Sequence, residues 1–271
     1  MYLLSSKLIL ALLASGFIFL YIYWSNDAQA SVLISANKSN VNSNLPVLLI
    51  HGYLSNESVW DRWETLLEND GIVYKAVTFE NDDSCGKAKD HATELTRIIE
   101  DFKNDTRKEK INIVAHSKGG LDARVYLANN LTNTNIANLI MIGTPNAGSP
   151  LAKLNDLCSP AILDLRPGSW ATKVRMNNNT RYYTIAGNWK PSFSSPDPNC
   201  SPRDPNWLTF QIWGNSQLDP PYDGVVSPND GIALLPSVQL ENSKSLGVSD
   251  NCHTDLLGDE EYQMAKKLLL E

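Results

Sequence analysis

The chain has 271 residues, of which 42% are hydrophobic and 20% are charged, and its formal net charge is −7. A chain of this length and composition can bury the core of one α/β domain of ordinary size. The acidic balance and the lack of a basic cluster argue against a nucleic-acid partner, because nucleic-acid-binding proteins present a basic face.

The N-terminal segment has the features of a targeting sequence. Lys7 precedes an apolar run over residues 8–24, and Ala28-Gln29-Ala30 forms an A-x-A site. This pattern predicts a secretory signal peptide over residues 1–30. The alternative is an uncleaved membrane anchor, although the run is shorter than the roughly 20 residues that a membrane-spanning helix needs. Both alternatives predict an exported protein, periplasmic or secreted in the first case and attached to the membrane by its N-terminal segment in the second.

Four cysteines lie in the part of the chain that would be exported: Cys85, Cys158, Cys200 and Cys252. An even number of cysteines in an oxidising compartment favours two disulfide bonds, for which three pairings are open. Free buried thiols are the alternative. The wide spacing of the cysteines argues against a zinc site.

A polar leader over residues 31–44 precedes the predicted folded domain, residues 45–271. Within that domain, apolar runs without alternation indicate strands that are buried on both faces, and amphipathic stretches between them indicate helices. This alternation predicts an α/β fold with a doubly wound, mostly parallel central sheet and helices on both faces. The predicted strands are 47–50, 72–79, 111–115, 136–142, 181–187 and 237–240, and the predicted helices are 58–69, 87–102, 118–128 and 259–270.

One serine stands at the junction of a predicted strand and a predicted helix, in the sequence Ala115-His116-Ser117-Lys118-Gly119-Gly120. A serine at such a tight turn projects its hydroxyl above the edge of the sheet, and small neighbours let the helix approach the strand. The pattern is that of a nucleophile elbow, G-x-S-x-G, with alanine at the first glycine position. Ser117 is therefore the predicted nucleophile.

Two further motifs accompany the elbow: a strand that ends in His51-Gly52-Tyr53, and a loop over residues 143–149 with the sequence Gly-Thr-Pro-Asn-Ala-Gly-Ser. In this order and spacing, the three motifs resemble those of bacterial lipases of the α/β-hydrolase fold. The likeness runs from about residue 46 to 152 and resumes near Asp223 and His253. Alanine in the elbow resembles the variant of Bacillus-type lipases, whereas Lys118 stands where many relatives carry Met or Gln.

The resemblance implies a catalytic serine, acid and histidine in that order along the chain. His253 is the only one of four histidines that follows Ser117, so it is the predicted general base. Asp223, in the sequence Asp-Gly-Val-Val, resembles the acid loop of the family. Asp219 and Asp230 remain alternatives for the acid.

The resemblance also implies an oxyanion hole made of the backbone N–H groups of Tyr53 and Lys118. Since backbone groups do this work, we expect the side chains at both positions to be free to vary. His51 and His116 flank the site and are predicted to be structural.

These features together predict an exported serine carboxylic-ester hydrolase, a triacylglycerol lipase or esterase that works through an acyl-serine intermediate. Its substrate would be a lipid or another ester, met at a lipid–water interface. The alternatives are phospholipase, acyltransferase or peptidase activity on the same residues, and a non-catalytic binding protein with this fold. A lid or cap within residues 151–217 is predicted, with ordinary core packing as the alternative.

No cofactor is predicted. Asp255 and Asp259 could serve as calcium ligands, but they are equally explained as acids that favour the N-terminus of a helix. We therefore predict no metal site.

Overall fold

A computed structural model describes residues 44–80, 85–132, 135–149, 152, 159–187, 243–251 and 253–271. Within these ranges, six strands form one sheet in the order β2-β1-β3-β4-β5-β6, and every pairing is parallel. The strands are β1 (Val47–Ile50), β2 (Tyr74–Ala76), β3 (Ile111–His116), β4 (Ile136–Ile142), β5 (Arg181–Gly187) and β6 (Ser243–Ser249). The helices are α1 (Asp61–Asn69), α2 (Ala88–Thr106), α3 (Lys118–Asn129), α4 (Ser159–Leu165) and α5 (Asp259–Leu269), with single 3-10 turns at Glu57–Trp60, Ala171–Lys173 and His253–Asp255. The predicted fold class is confirmed.

The sheet is buried on both faces. Successive residues of a strand point to opposite faces, and Ile113 and Val114 of β3 accordingly belong to two different hydrophobic clusters. One cluster packs the sheet against α2 and α3, and the other packs it against α1 and α5. This two-sided burial explains why the central strands are continuous apolar runs rather than alternating ones.

Two glycines let α3 lie directly against the end of β1 and the loop that follows β4. A Cβ atom at Gly119 would stand 2.4 Å from the carbonyl oxygen of His51 and 2.8 Å from that of Ile50. A Cβ atom at Gly120 would stand 2.1 Å from Oγ1 of Thr144, in the loop that follows β4. The glycines of the elbow therefore permit a contact that a larger side chain would obstruct.

The strands at the two edges of the sheet differ most from the prediction. β2 has three residues rather than the eight of 72–79, although Val77 and Phe79 beyond it are buried in the α2/α3 cluster and the N–H of Val77 still donates to the carbonyl oxygen of Leu49. β6 was not predicted at all, since its sequence Ser-Lys-Ser-Leu-Gly-Val-Ser has few apolar residues and is largely exposed. The strand predicted at 237–240 lies outside the described residues.

Helix α4 belongs to the segment for which a lid or core packing was predicted. Its buried Ile162 and Leu165 form a small apolar cluster with Leu121 of α3 and with Ala152, against which Tyr53 packs. For this helix, core packing is what the structure shows. Most of the remaining lid segment lies outside the described residues.

Several other predictions also lie outside them: the signal peptide or anchor, the polar leader, and Cys158, Cys200 and Cys252. Cys85 is disulfide-bonded, and its partner lies outside the described residues, so the pairing stays a prediction. None of the helices in the part of the chain that the structure describes is long and apolar enough to cross a membrane.

We expect Gly119→Ala to destabilise the protein. Alanine favours a helix over glycine by about 1 kcal/mol, but the new Cβ would meet backbone carbonyls that cannot move aside cheaply, and overpacking typically costs about 1–3 kcal/mol. Urea unfolding of the purified variant measures the net loss. Gly258→Ala is the matched control, because a Cβ there would approach no atom closer than 3.4 Å. Equal stability of the two variants would contradict the close approach.

Candidate active site

Ser117 lies at the sharp turn between β3 and α3. Its backbone has φ 53° and ψ −127°, a left-handed conformation that is unfavourable for a residue with a side chain. The Ser117 N–H donates to the carbonyl oxygen of Ile142 at 2.9 Å, which ties the turn to the end of β4. The sheet thus holds the serine in a conformation that an isolated chain would avoid.

His253 approaches Ser117 from β6, the strand at one edge of the sheet. It begins the 3-10 turn that follows β6, and its Nε2 lies 2.9 Å from Oγ of Ser117. Both side chains are largely buried. A serine hydroxyl that donates to Nε2 leaves the proton of the neutral imidazole on Nδ1, which is the tautomer a general base needs.

Two close contacts fix the position of His253. The Nε2–H of His116 donates to the backbone carbonyl oxygen of His253 at 2.9 Å, and the two imidazole rings lie 4.7 Å apart. Gly143, which has φ 55°, lies against the Cε1–Nδ1 side of the His253 ring. A Cβ atom on Gly143 would stand 3.1 Å from each of these two atoms. Only glycine fits this combination of backbone conformation and space without strain.

The loop that carries His253 is anchored by a buried carboxylate. Oε1 of Glu261 accepts from Oγ of Ser249 at 2.5 Å and from Nδ2 of Asn251 at 2.8 Å, and Oε2 accepts from the N–H of Gly258 at 3.2 Å. The first two donors precede His253 and the third follows it. Glu261, in the first turn of α5, therefore holds both sides of the loop.

His116 remains neutral. Complete burial, the larger cause, and the neighbouring His253 together lower the pKa of His116 to about 3. A neutral His116 keeps the Nε2–H that donates to His253 and does not compete with His253 for a proton. The prediction that His116 supports the site rather than acting as its base agrees with this geometry.

The two predicted oxyanion donors both adjoin Ser117. Lys118 is the first residue of α3, so its N–H has no acceptor within the helix and lies at the positive end of the helix dipole. Gly52 packs against the elbow so closely that a Cβ atom there would stand 2.8 Å from Cβ of Ser117. Tyr53 follows directly, and this contact brings its segment to the nucleophile.

The side chain of Lys118 is not free to vary, which corrects the sequence-based expectation. It is almost fully buried, and its Nζ donates to Oδ1 and Oδ2 of Asp122 at 2.7 and 3.0 Å. His91 of α2 contacts the same carboxylate. The i, i+4 spacing of Lys118 and Asp122 could have indicated the ion pair, whereas nothing local in the sequence connects either residue with His91.

The acid has not been located among the described residues, because Asp223 and its alternatives Asp219 and Asp230 lie outside them. The predicted role of Asp223 therefore stays a prediction. Asp259, one of the acids weighed as a calcium ligand, binds Arg62 through two hydrogen bonds of 2.5 and 2.6 Å. The described part of the chain contains no group of three His, Cys, Asp or Glu residues placed to hold a metal ion.

Residues 22–164 match the model of a family described as a domain of unknown function, DUF7379. The match covers more than half of the chain. The chain belongs to this family. Its description names no activity, so membership of DUF7379 leaves the chemistry of the Ser117–His253 pair to be argued from the site.

This member of DUF7379 is similar in structure to several solved hydrolases. The mature form of Bacillus licheniformis lipase BlEst2 is 22% identical at a TM-score of 0.64, over 84% of this chain and 92% of that one. Paleococcus ferrophilus monoacylglycerol lipase is 14% identical at 0.54, over 84% and 96%. Phospholipase PlaB from Legionella pneumophila, in complex with thio-NAD, is 18% identical at 0.52, over 69% and 43%. At these identities the likeness establishes the fold, and the resemblance to bacterial lipases of the α/β-hydrolase fold is confirmed in that respect.

We expect His116 to make the protein less stable in acid. The pKa of His116 is about 3 in the folded state and about 6.5 in the unfolded state, so the unfolded state binds an extra proton between these values. Stability from this group is complete above pH 6.5 and is lost as the pH falls, by about 1.4 kcal/mol per pH unit.

His116→Gln keeps an N–H donor but cannot be protonated. Between pH 7 and pH 5, urea unfolding should therefore show wild type losing about 2 kcal/mol more than the variant. The same loss in both proteins would show that His116 titrates alike in the folded and unfolded states.

Proposed function

We propose that this protein is a serine hydrolase of carboxylic esters, with Ser117 as nucleophile and His253 as general base. The observation that carries the proposal is the 2.9 Å hydrogen bond between Oγ of Ser117 and Nε2 of His253, formed at a strained strand–helix turn. A serine hydroxyl is a poor nucleophile unless a base within hydrogen-bonding distance takes its proton. Here the base is His253, and the loop that carries it is anchored by Glu261.

The reaction would proceed in two halves. Oγ of Ser117 attacks the ester carbonyl carbon while its proton passes to Nε2 of His253, and the carbonyl oxygen becomes an oxyanion. His253 then gives that proton to the leaving alcohol, which departs and leaves an acyl-Ser117 ester. Water, deprotonated by His253, attacks the carbonyl carbon of this ester, and His253 returns the proton to Oγ of Ser117 as the bond to the acyl group breaks and the carboxylic acid is released. We assign to Asp223 the acceptance of the Nδ1–H of His253.

The N–H groups of Lys118 and Tyr53 would stabilise the oxyanion. Lys118 is favourably placed because its N–H begins α3, where the helix dipole attracts negative charge. Removing one such donor typically costs about 3 kcal/mol of transition-state stabilisation. Since these donors belong to the backbone, the packing around the elbow would determine how well they align.

A lipid ester is the substrate class that the surroundings of the site favour. The similar solved structures are named as lipases and a phospholipase. Tyr53 packs against an apolar cluster that includes Leu121, Ile162 and Leu165, and Leu121 lies one helical turn beyond Lys118. The residues of this cluster are buried and form an apolar backing on this side of the site, and we assign the space beside Tyr53 to the acyl chain. Export and action at a lipid surface remain part of the proposal.

Hydrolysis of a chromogenic ester series, from acetyl to long acyl chains, tests the proposal. We expect the purified protein to release alcohol and acid, and Ser117→Ala and His253→Ala each to lower turnover by at least about 10³-fold without unfolding. Ser58→Ala, an exposed serine in the 3-10 turn before α1, is the control and should retain activity. Undiminished turnover by folded Ser117→Ala would refute the nucleophile. The change of rate with chain length separates a lipase from a short-chain esterase.

The acid can be identified by comparing three isosteric variants. We expect Asp223→Asn to lower kcat by about 10⁴-fold, because an amide cannot hold the productive tautomer of His253. Asp219→Asn and Asp230→Asn should have little effect on the same assay. The opposite ranking would assign the acid to one of these two positions.

A further inference from the structure

A buried group of charged and titratable side chains lies beside the elbow. None of these side chains takes part in the proposed reaction. It consists of Lys118 and Asp122 on α3 and His91 on α2, and we name it the charge cluster. The side chains of Lys118 and Asp122 are 2% exposed, and that of His91 is 4% exposed. Asp122 is its centre, because both other members contact its carboxylate.

The charge cluster is well satisfied internally. Asp122 accepts from Nζ of Lys118 at 2.7 and 3.0 Å, and its Oδ2 lies 2.6 Å from Nδ1 of His91. An ionised carboxylate only accepts, so the Nδ1–H of His91 donates to it. Burial by itself raises the pKa of Asp122, but the Lys118 ammonium and the His91 N–H hold the pKa below its usual value. Asp122 therefore stays ionised.

Aromatic contacts extend the charge cluster to the other oxyanion segment. The ring of His91 stacks flat on Phe79, with centroids 3.8 Å apart and an interplanar angle of 1°. Phe79 in turn meets the ring of His51 edge-on, with centroids 5.4 Å apart. His51 immediately precedes Gly52 and Tyr53. A continuous series of side-chain contacts thus joins Lys118 to the segment of Tyr53.

We propose that His91 is a positioning residue that holds the two oxyanion donors, the N–H groups of Lys118 and Tyr53, in a fixed relation. Its N–H binds the carboxylate that fixes Lys118, and its ring face binds the phenyl group that packs on His51. This inference rests on the proposed function, because an oxyanion hole matters only if the site performs acyl transfer.

A polar connection suits this task better than an apolar one. Hydrophobic side chains of the same volume would fill the space, but they could pack in several arrangements of similar energy. A satisfied hydrogen-bond network favours a single arrangement of its side chains, because hydrogen bonds are directional. Oxyanion donors must meet a developing charge at a defined distance, and a displacement of about 1 Å can cost about 100-fold in rate. The charge cluster would therefore affect kcat more than the binding of substrate.

The decisive variant is His91→Phe, which keeps a flat ring over Phe79 and removes the N–H to Asp122. We expect kcat for the best ester of the series to fall about 10-fold to 100-fold, with KM changed less than about twofold. Affinity for an alkyl boronic acid, which forms a tetrahedral anion on Ser117, should fall by a similar factor. His91→Asn, which restores an N–H near the position of Nδ1, should recover part of the loss in both measurements.

A second variant tests the other half of the connection. Phe79→Leu leaves the charge cluster intact and breaks the stacked contact, so we expect it to lower kcat in the same direction. Ile99→Ala is the control: it creates a cavity in the same helix two turns beyond His91, and it should lower the Tm while the folded enzyme keeps its kcat.

The possible outcomes separate the two proposals. If Ser117→Ala remains active, or wild type hydrolyses no ester, the proposed function fails and this inference fails with it. If Ser117→Ala is inactive while folded His91→Phe and Phe79→Leu keep wild-type kcat and boronate affinity, only the positioning role is overturned. If His91→Phe does not fold, folded Phe79→Leu still decides the question through its kcat and boronate affinity.

Discussion

The left-handed backbone of Ser117 is the constraint on which the site depends. It is kept by the hydrogen bond to Ile142 and by the packing of α3 against the end of β1 and the loop after β4, which the glycines at 119 and 120 permit. Strain of this kind costs about 1–3 kcal/mol and persists only where the surroundings over-determine it. The parallel sheet supplies those surroundings, because the carboxyl ends of β1, β3 and β4 all meet at the elbow.

The supports of the site come from both faces of the sheet. The α2/α3 face contributes the charge cluster beneath the elbow, and the α1/α5 face contributes Glu261, which holds the loop of His253. Neither side chain of the Ser117–His253 pair is positioned by its own neighbours alone. Long-range polar contacts do this work, so the precision of the site depends on the whole domain.

The sequence predicted what local patterns encode. Continuous apolar strands and the elbow were recognisable because each depends on residue type and spacing within a short window. His253 was recognisable because no other histidine follows Ser117. The sequence did not predict β6, whose polar residues form a strand only because β5 offers it hydrogen-bonding partners. His91 and Glu261 were missed for the same reason, since their partners come from other elements. The burial of Lys118 depends on α2, and the residues next to Lys118 in the sequence give no sign of that contact.

The order in which the chain is synthesised determines when the loop of His253 can be anchored. The nucleophile precedes the histidine by 136 residues, and the carboxylate that fixes the histidine loop comes later still, in α5. α5 itself docks on α1 when Tyr262 and Lys266 bind Asp70 at 2.7 Å each. A chain that has been synthesised only as far as His253 therefore lacks the carboxylate that fixes the histidine loop. The hydrolase proposed here would gain its fixed Ser117–His253 pair only after α5 has been synthesised.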